Sequence, residues 1–250
     1  MKPRVNIEVC VDSVAGALAA EQGGANRIEL CSALGEGGLT PSAGLTERVR
    51  GRVRLTLAVM IRPRAGDFLY SDDEFEVMRR DLVLAKQLGA DMIVLGLLTT
   101  GGDVDVPRTR ELVALARPLP ITFHRAFDMA RDPHAALDDL ISLGIERVLT
   151  SGLERSVLEG LDLIAELVRR AAGRILVVPG GGVTERNVAK ILAATGAAEF
   201  HVSASVPLAS GMTFRNGRVA MGRQYGPSEY AGTVADAGRV AAFRALAGDP

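Results

Sequence analysis

Cys10 and Cys31 each lie at the end of a short run in which apolar and polar residues alternate: Ile7, Val9 and Val11 around Glu8 and Cys10, then Ile28 and Leu30 around Glu29 and Cys31. With the period of two that a strand imposes, Asn6, Glu8 and Cys10 share one face of the first run. Arg27, Glu29 and Cys31 share one face of the second. If the two runs are neighbouring strands, both sulfurs come within reach of one soft ion. Thiolates suit Cu(I), and an imidazole from His124 or His201 can complete such a site. There is no C-x-x-C and no H-x-x-x-H, so this reading rests on strand position alone. The bland alternative is that both thiols are small core residues.

The same faces offer acid and base chemistry. Alternation places Ala58, Met60 and Arg62 opposite Leu57, Val59 and Ile61, and it sets Glu199, His201 and Ser203 opposite Phe200 and Val202. His124 and Ser151 fall on the same side of their own runs. Glu8 or Glu29 then reads as a general base and His124 as an acid. Arg62 and Arg64, leaving the third run together, suit bidentate clasping of a carboxylate or phosphate. They can equally neutralise Glu8, Glu29 or Asp67. Gly180, Gly181 and Gly182, with Ser151, His201 and Ser203, occupy places where exposed backbone amides bind anions. No nucleophile elbow is present, and none of Lys2, Lys86 and Lys190 lies on a strand, which disfavours Schiff-base chemistry.

Positioning these groups requires a repeating frame. Strand candidates at 5–11, 27–31, 55–61, 91–97, 121–125, 147–151, 174–179 and 199–203 alternate with helical patterns, which predicts an α/β fold built as one closed (β/α)8 barrel of the TIM type over residues 1–250. A doubly wound open sheet is the rival, but no G-x-G-x-x-G follows the first strand. Helix starts fall at Ser13 or Asp12, Ser42, Ser71 or Asp72, Asp132 and Thr184, where side chains can accept from first-turn amides. Two connections are long: 32–41 and 204–227. Both follow strands and so overhang the C-terminal rim, and the second reads as a lid over the mouth or as a surface excursion. Asn216-Gly217 within it signals a tight hairpin across Thr213 to Val219.

Composition narrows the classes further. With 29 Lys and Arg against 30 Asp and Glu, a formal charge of -1, and no Trp, the chain carries no field to gather nucleic acid. No apolar run reaches the length of a spanning helix, and the first residues lack a secretory apolar core, so no membrane partner is expected and the chain reads as cytoplasmic. Two cysteines in a reducing compartment are expected as thiols. The expected ligand is a small anion.

The segments Ile28-Glu29-Leu30-Cys31, Glu36-Gly37-Gly38-Leu39-Thr40-Pro41-Ser42, Ile61-Arg62-Pro63-Arg64-Ala65-Gly66-Asp67-Phe68 and Thr122-Phe123-His124-Arg125-Ala126-Phe127-Asp128 resemble the CutC family. So do Arg147-Val148-Leu149-Thr150-Ser151-Gly152 and Met212-Thr213-Phe214-Arg215-Asn216, in order along the chain. The resemblance implies a cytoplasmic (β/α)8-type barrel that forms homo-oligomers, dimer or tetramer, with a role in copper homeostasis and Cu(I) binding. It also implies that Cys10 and Cys31 are the copper candidates. Some relatives carry a glycine pair where this chain has Ala65-Gly66. The family carries no assigned reaction, so whether the chain is an enzyme stays open; the alternative is a barrel enzyme acting on a small phosphate- or carboxylate-bearing metabolite.

Overall fold

In a computed structural model of the chain, the structure describes residues 5–219 and 229–248. The alternation read from sequence is present: β1 (Asn6–Val11), α1 (Val14–Gln22), β2 (Arg27–Leu30), α2 (Ala43–Arg50), β3 (Thr56–Met60), α3 (Asp72–Gln87), β4 (Met92–Leu95), α4 (Val106–Ala116) and β5 (Ile121–Phe123). It continues with α5 (Pro133–Ser142), β6 (Arg147–Thr150), α6 (Leu161–Ala171), β7 (Leu176–Pro179), α7 (Val188–Thr195) and β8 (Glu199–Val202). After these come β9 (Ser205–Ala209), β10 (Ala231–Ala235) and α8 (Ala237–Leu246). The first eight strands are parallel in the order β7-β6-β5-β4-β3-β2-β1-β8, a nearly closed barrel with β7 beside β8 at the seam.

The strands keep the expected division of faces. Ile7, Val9, Ile28, Leu30, Leu57, Ile93, Phe123 and Phe200 pack outward against the helices in the main core. Cys31, Ala58, Met60, Met92 and Val94 form a separate cluster inside the barrel, with Cys10 and Leu34 against it. A single period-two pattern thus makes two layers, because successive side chains of a strand point to opposite faces.

Ser13, Ser42, Ser71 and Asp132 are N-caps, each accepting from a first-turn amide. Thr184 is not one. Helix α7 begins after Asn187, whose side-chain oxygen instead takes the Thr184 amide at 2.7 Å and braces the loop after β7. The hairpin also differs from expectation. Thr213 to Val219 forms no paired strands; Asn216 Oδ1 accepts the Arg218 amide at 3.1 Å in a local turn. The antiparallel pairing falls at the ends of the excursion, where β9 pairs with β10 from Ser205 opposite Ala235 to Ala209 opposite Ala231. Residues 220–227 of the expected lid lie outside the described residues. Among the described residues no helix is long and apolar enough to cross a membrane.

Candidate functional site

A line of charge runs up the barrel interior. Near the N-terminal end Glu199 accepts from Arg27 Nη2 at 2.8 Å, from Arg147 Nε at 3.2 Å and from Asn6 Nδ2 at 3.2 Å. Arg27 Nε donates to Glu8 Oε2, and Glu8 Oε1 lies 2.7 Å from His201 Nδ1. His201 Nε2 is 3.9 Å from Glu29 Oε2. The register explains the succession: Glu8 faces Arg27 on one side and His201 on the other. Burying any one of these ions alone would cost several kcal/mol, so the interior holds them only as a paired chain. Burial raises the Glu8 carboxyl, but the Arg27 and His201 charges prevail and hold it at about 2. Burial opposes the charge on His201 too; Glu29, Cys10 and Glu8 overcome it and keep the imidazolium protonated well above its usual range.

Glu29 differs. Burial pushes its carboxyl up to about 8, with His201 only partly countering, and Oε1 has no hydrogen-bond partner. Of the two buried carboxyls, Glu29 is the one that keeps its proton to the higher pH. Cys31 donates to Glu29 Oε2 at 3.5 Å, and the sulfurs of Cys10 and Cys31 and a Glu29 oxygen all lie within 4.8 Å of one another. Contact with the Cys31 thiol, helped by His201 against the cost of burial, brings Cys10 down to about 6. The Cys31 thiol moves the opposite way because it lies buried beside Cys10. Cys31 sits under the loop after β2: a Cβ added at Gly38, which has φ +87°, would lie 3.0 Å from its sulfur.

Above this cluster opens a cavity of about 540 Å³ at the C-terminal end of the barrel. Cys10, Glu29, Met60, Arg62, His124 and His201 line its depth, and Gly181, Gly182, Thr184 and Ser203 its rim. Leu34 and Gly37 reach it from the long loop 32–41, as the overhang predicted. Burial, reinforced by the Arg62 charge, lowers His124 to about 3, so the ring is neutral. Its Nδ1 accepts the Ala126 amide at 3.1 Å and its Nε2 has no partner. An unsatisfied buried donor costs about 1–3 kcal/mol, which makes this atom and Glu29 Oε1 places where a ligand gains.

Several expected site residues stand elsewhere. Arg64 does not line the cavity: Glu74 Oε1 at 2.6 Å and Asp67 Oδ1 at 2.9 Å take up its guanidinium. Arg62 does line it: its terminal nitrogens donate to the carbonyls of Glu36, Gly38 and Gly66, which ties down the rim loops, while its buried Nε has no hydrogen-bond partner. Glu8 is below the surface, with both oxygens engaged, and orients His201. Ser151 and Gly180 are also behind the wall. Ser151 bonds Arg125 at 2.6 Å and Asp128 at 3.0 Å, and Gly180 packs against Leu149 and His201.

Two cations on the cavity wall escaped the strand arithmetic. Arg125 follows His124 where the strand gives way to a 3₁₀ turn over Arg125–Met129, so consecutive residues face the same space. Half-buried Asp128 holds it at 2.7 Å. Arg239, at the start of α8, pairs with Glu185 at 2.6 Å. The end of apolar alternation at Arg125 was a usable signal for the first; no local signal exists for the second.

The CutC family profile matches residues 5–206. The human copper homeostasis protein cutC homolog is 56% identical over 241 residues, spanning 96% of this chain and 88% of the relative. A CutC family protein of Chromobacterium violaceum is 51% identical over 95% of this chain and 96% of its own length. A crystal structure of CutC from Streptococcus agalactiae is 33% identical with a TM-score of 0.77, covering 80% of this chain and 98% of that one. Thiamine phosphate pyrophosphorylase of Pyrococcus furiosus, 16% identical with a TM-score of 0.59 over 97% of this chain and 95% of its own, shares the barrel fold. On the family match and these identities, the chain belongs to the CutC family.

Proposed function

We propose that the chain acts in copper homeostasis in the cytoplasm, carrying Cu(I) between Cys10 and Cys31. The observation behind this reading is the approach of the two free sulfurs, with a Glu29 oxygen, to within 4.8 Å of one another. Two thiolates on one ion stand at most about 4.6 Å apart if each bond is ~2.3 Å, the length known for zinc thiolates, so sulfurs that already lie within 4.8 Å of each other can share a soft ion with little movement. Softness of the donors favours Cu(I) over divalent ions that prefer oxygen. Cys10 lines the cavity and offers the way in, while Cys31 waits behind it under the Gly38 loop. The names of the human and mouse relatives, copper homeostasis protein cutC homologs, agree with this role. The test is an anaerobic Cu(I) titration against a coloured chelator. The wild type should compete for about one ion, and the Cys10→Ser, Cys31→Ser double variant should lose that competition. Unchanged competition by the double variant would refute the thiol site.

A second reading is favoured by a separate observation: Glu29 Oε1 and His124 Nε2 are both buried and unpartnered, and both residues line one cavity beside the His201 imidazolium. This arrangement suits a barrel enzyme that takes a small anionic metabolite and moves a proton with Glu29 as acid. His124, neutral at physiological pH, is then a hydrogen-bond donor and does not transfer a proton.

A further inference from the structure

His124 sits at the end of β5, and its ring is fixed from three directions. Nδ1 accepts the amide of Ala126 at 3.1 Å, which begins the 3₁₀ turn and leaves the ring proton on Nε2. Phe68 lies against the ring with centroids 5.0 Å apart. The Nδ1–Cε1 edge faces β4's exit, where a Cβ built at Gly96 would be 2.5 Å from both atoms. With that edge covered, the part of the ring left to line the cavity carries Nε2, which is buried and has no partner. Arg125 and Arg239 line the same cavity: Arg125 donates to Asp128, Ser151 Oγ and the Glu154 carbonyl, Arg239 to both Glu185 oxygens and the Ser205 carbonyl, and each half-exposed side chain keeps N–H groups that these bonds do not use.

We infer that His124 is a specificity-determining donor, its Nε2–H selecting small phosphorylated compounds that present a carbonyl or carboxylate oxygen to it while Arg125 and Arg239 meet the phosphate. This inference rests on the second reading of the cavity. A ring tied in this way accepts nothing: its one lone pair is engaged by Ala126, so His124 is not a copper ligand and the metal is left to the thiols. Where the ligand's oxygen gains negative charge during reaction, a fixed buried donor strengthens without reorganising.

The probes are 2-phosphoglycolate, which carries a phosphate and a carboxylate, and inorganic phosphate, which lacks the second group. Wild-type protein should bind phosphoglycolate at least tenfold more tightly than phosphate by calorimetry. His124→Asn keeps an acceptor for the Ala126 amide, as Asn does at helix starts, and deletes Nε2–H. It should lose the tenfold excess with phosphate affinity unchanged, in a protein that still unfolds cooperatively. In wild-type protein labelled with 15N at histidine, Nε2 should carry the proton at pH 7. An Nδ1-protonated His124, or a His124→Asn protein that retains the excess, would overturn the inference while leaving the cavity reading intact. Failure of wild-type protein to bind either probe would overturn both.

Discussion

Glu8 and Glu29 are carboxyls buried in one barrel interior, yet the first is held at about 2 and the second rises to about 8. Burial acts on both in the same direction. What separates them is contact: Glu8 has the Arg27 guanidinium and His201 on its two oxygens, whereas Glu29 meets His201 only at 3.9 Å and has an oxygen with no partner. Glu8 therefore contributes stability above its ordinary value of 4.5, and that contribution disappears as pH falls from there towards about 2. Replacing Glu8 by Gln should destabilise the protein by about 3–5 kcal/mol at pH 7, the usual result of stranding one member of a buried pair. In urea unfolding the gap between the two proteins should narrow steadily below pH 4.5. A gap that is constant with pH would mean that Glu8 acts by shape and not by charge.

The elements differ in how much of their course is set locally. Helix α3 starts where Ser71 Oγ accepts the Glu74 amide at 3.2 Å and Glu74 Oε2 accepts the Ser71 amide at 2.8 Å, a reciprocal cap visible in the Ser-Asp-Asp-Glu spacing. Ser71→Ala should cost about 1 kcal/mol, read as a shift in the urea midpoint, with ligand binding unaffected. No shift would place the start of α3 under tertiary control. Helix α7 is such a case already. Thr184 had the right chemistry for a cap, but the loop that follows β7 turns over Gly181 and Gly182 and is closed by Asn187, so the helix begins later. Strand β5 likewise ends at Phe123, two residues earlier than apolar alternation indicated, because His124 caps a 3₁₀ turn. That early end brings Arg125 to the cavity.

At the scale of the molecule, α8 is part of the barrel and of the site. Phe243 is fully buried, 5.9 Å from the Phe200 ring of β8, and Val240 fills the space over Gly23, where a Cβ would lie 2.5 Å from its own Cβ. Arg244 donates to the carbonyls of Val5 and Gly24, fastening the last helix to the first strand and its turn. Removing the Phe243 ring should cost about 3–5 kcal/mol, the range for aromatic truncation in a packed core. Since α8 also delivers Arg239, Phe243→Ala should weaken phosphoglycolate binding together with stability. Full stability in that variant, measured by urea unfolding, would show that α8 is an appendage.

The sequence by itself determined the eightfold alternation, the inward faces of β1, β2, β3 and β8, the caps of half the α-helices and the family segments. All of these depend on strand period, on hydrogen bonding within a turn, or on a few residues in a row. Glu8, Glu29, Cys10, Cys31, His124 and His201 could be placed on the interior faces for that reason. The tertiary structure decided which of them meet solvent and which partners they find. Arg64 turned to Glu74 and Asp67, Arg62 to three carbonyls, and Glu8 to Arg27 and His201. Arg239 came to the cavity from far along the chain. A long side chain's partner depends on distances between loops that no local pattern encodes, and a carboxyl's charge depends on that partner.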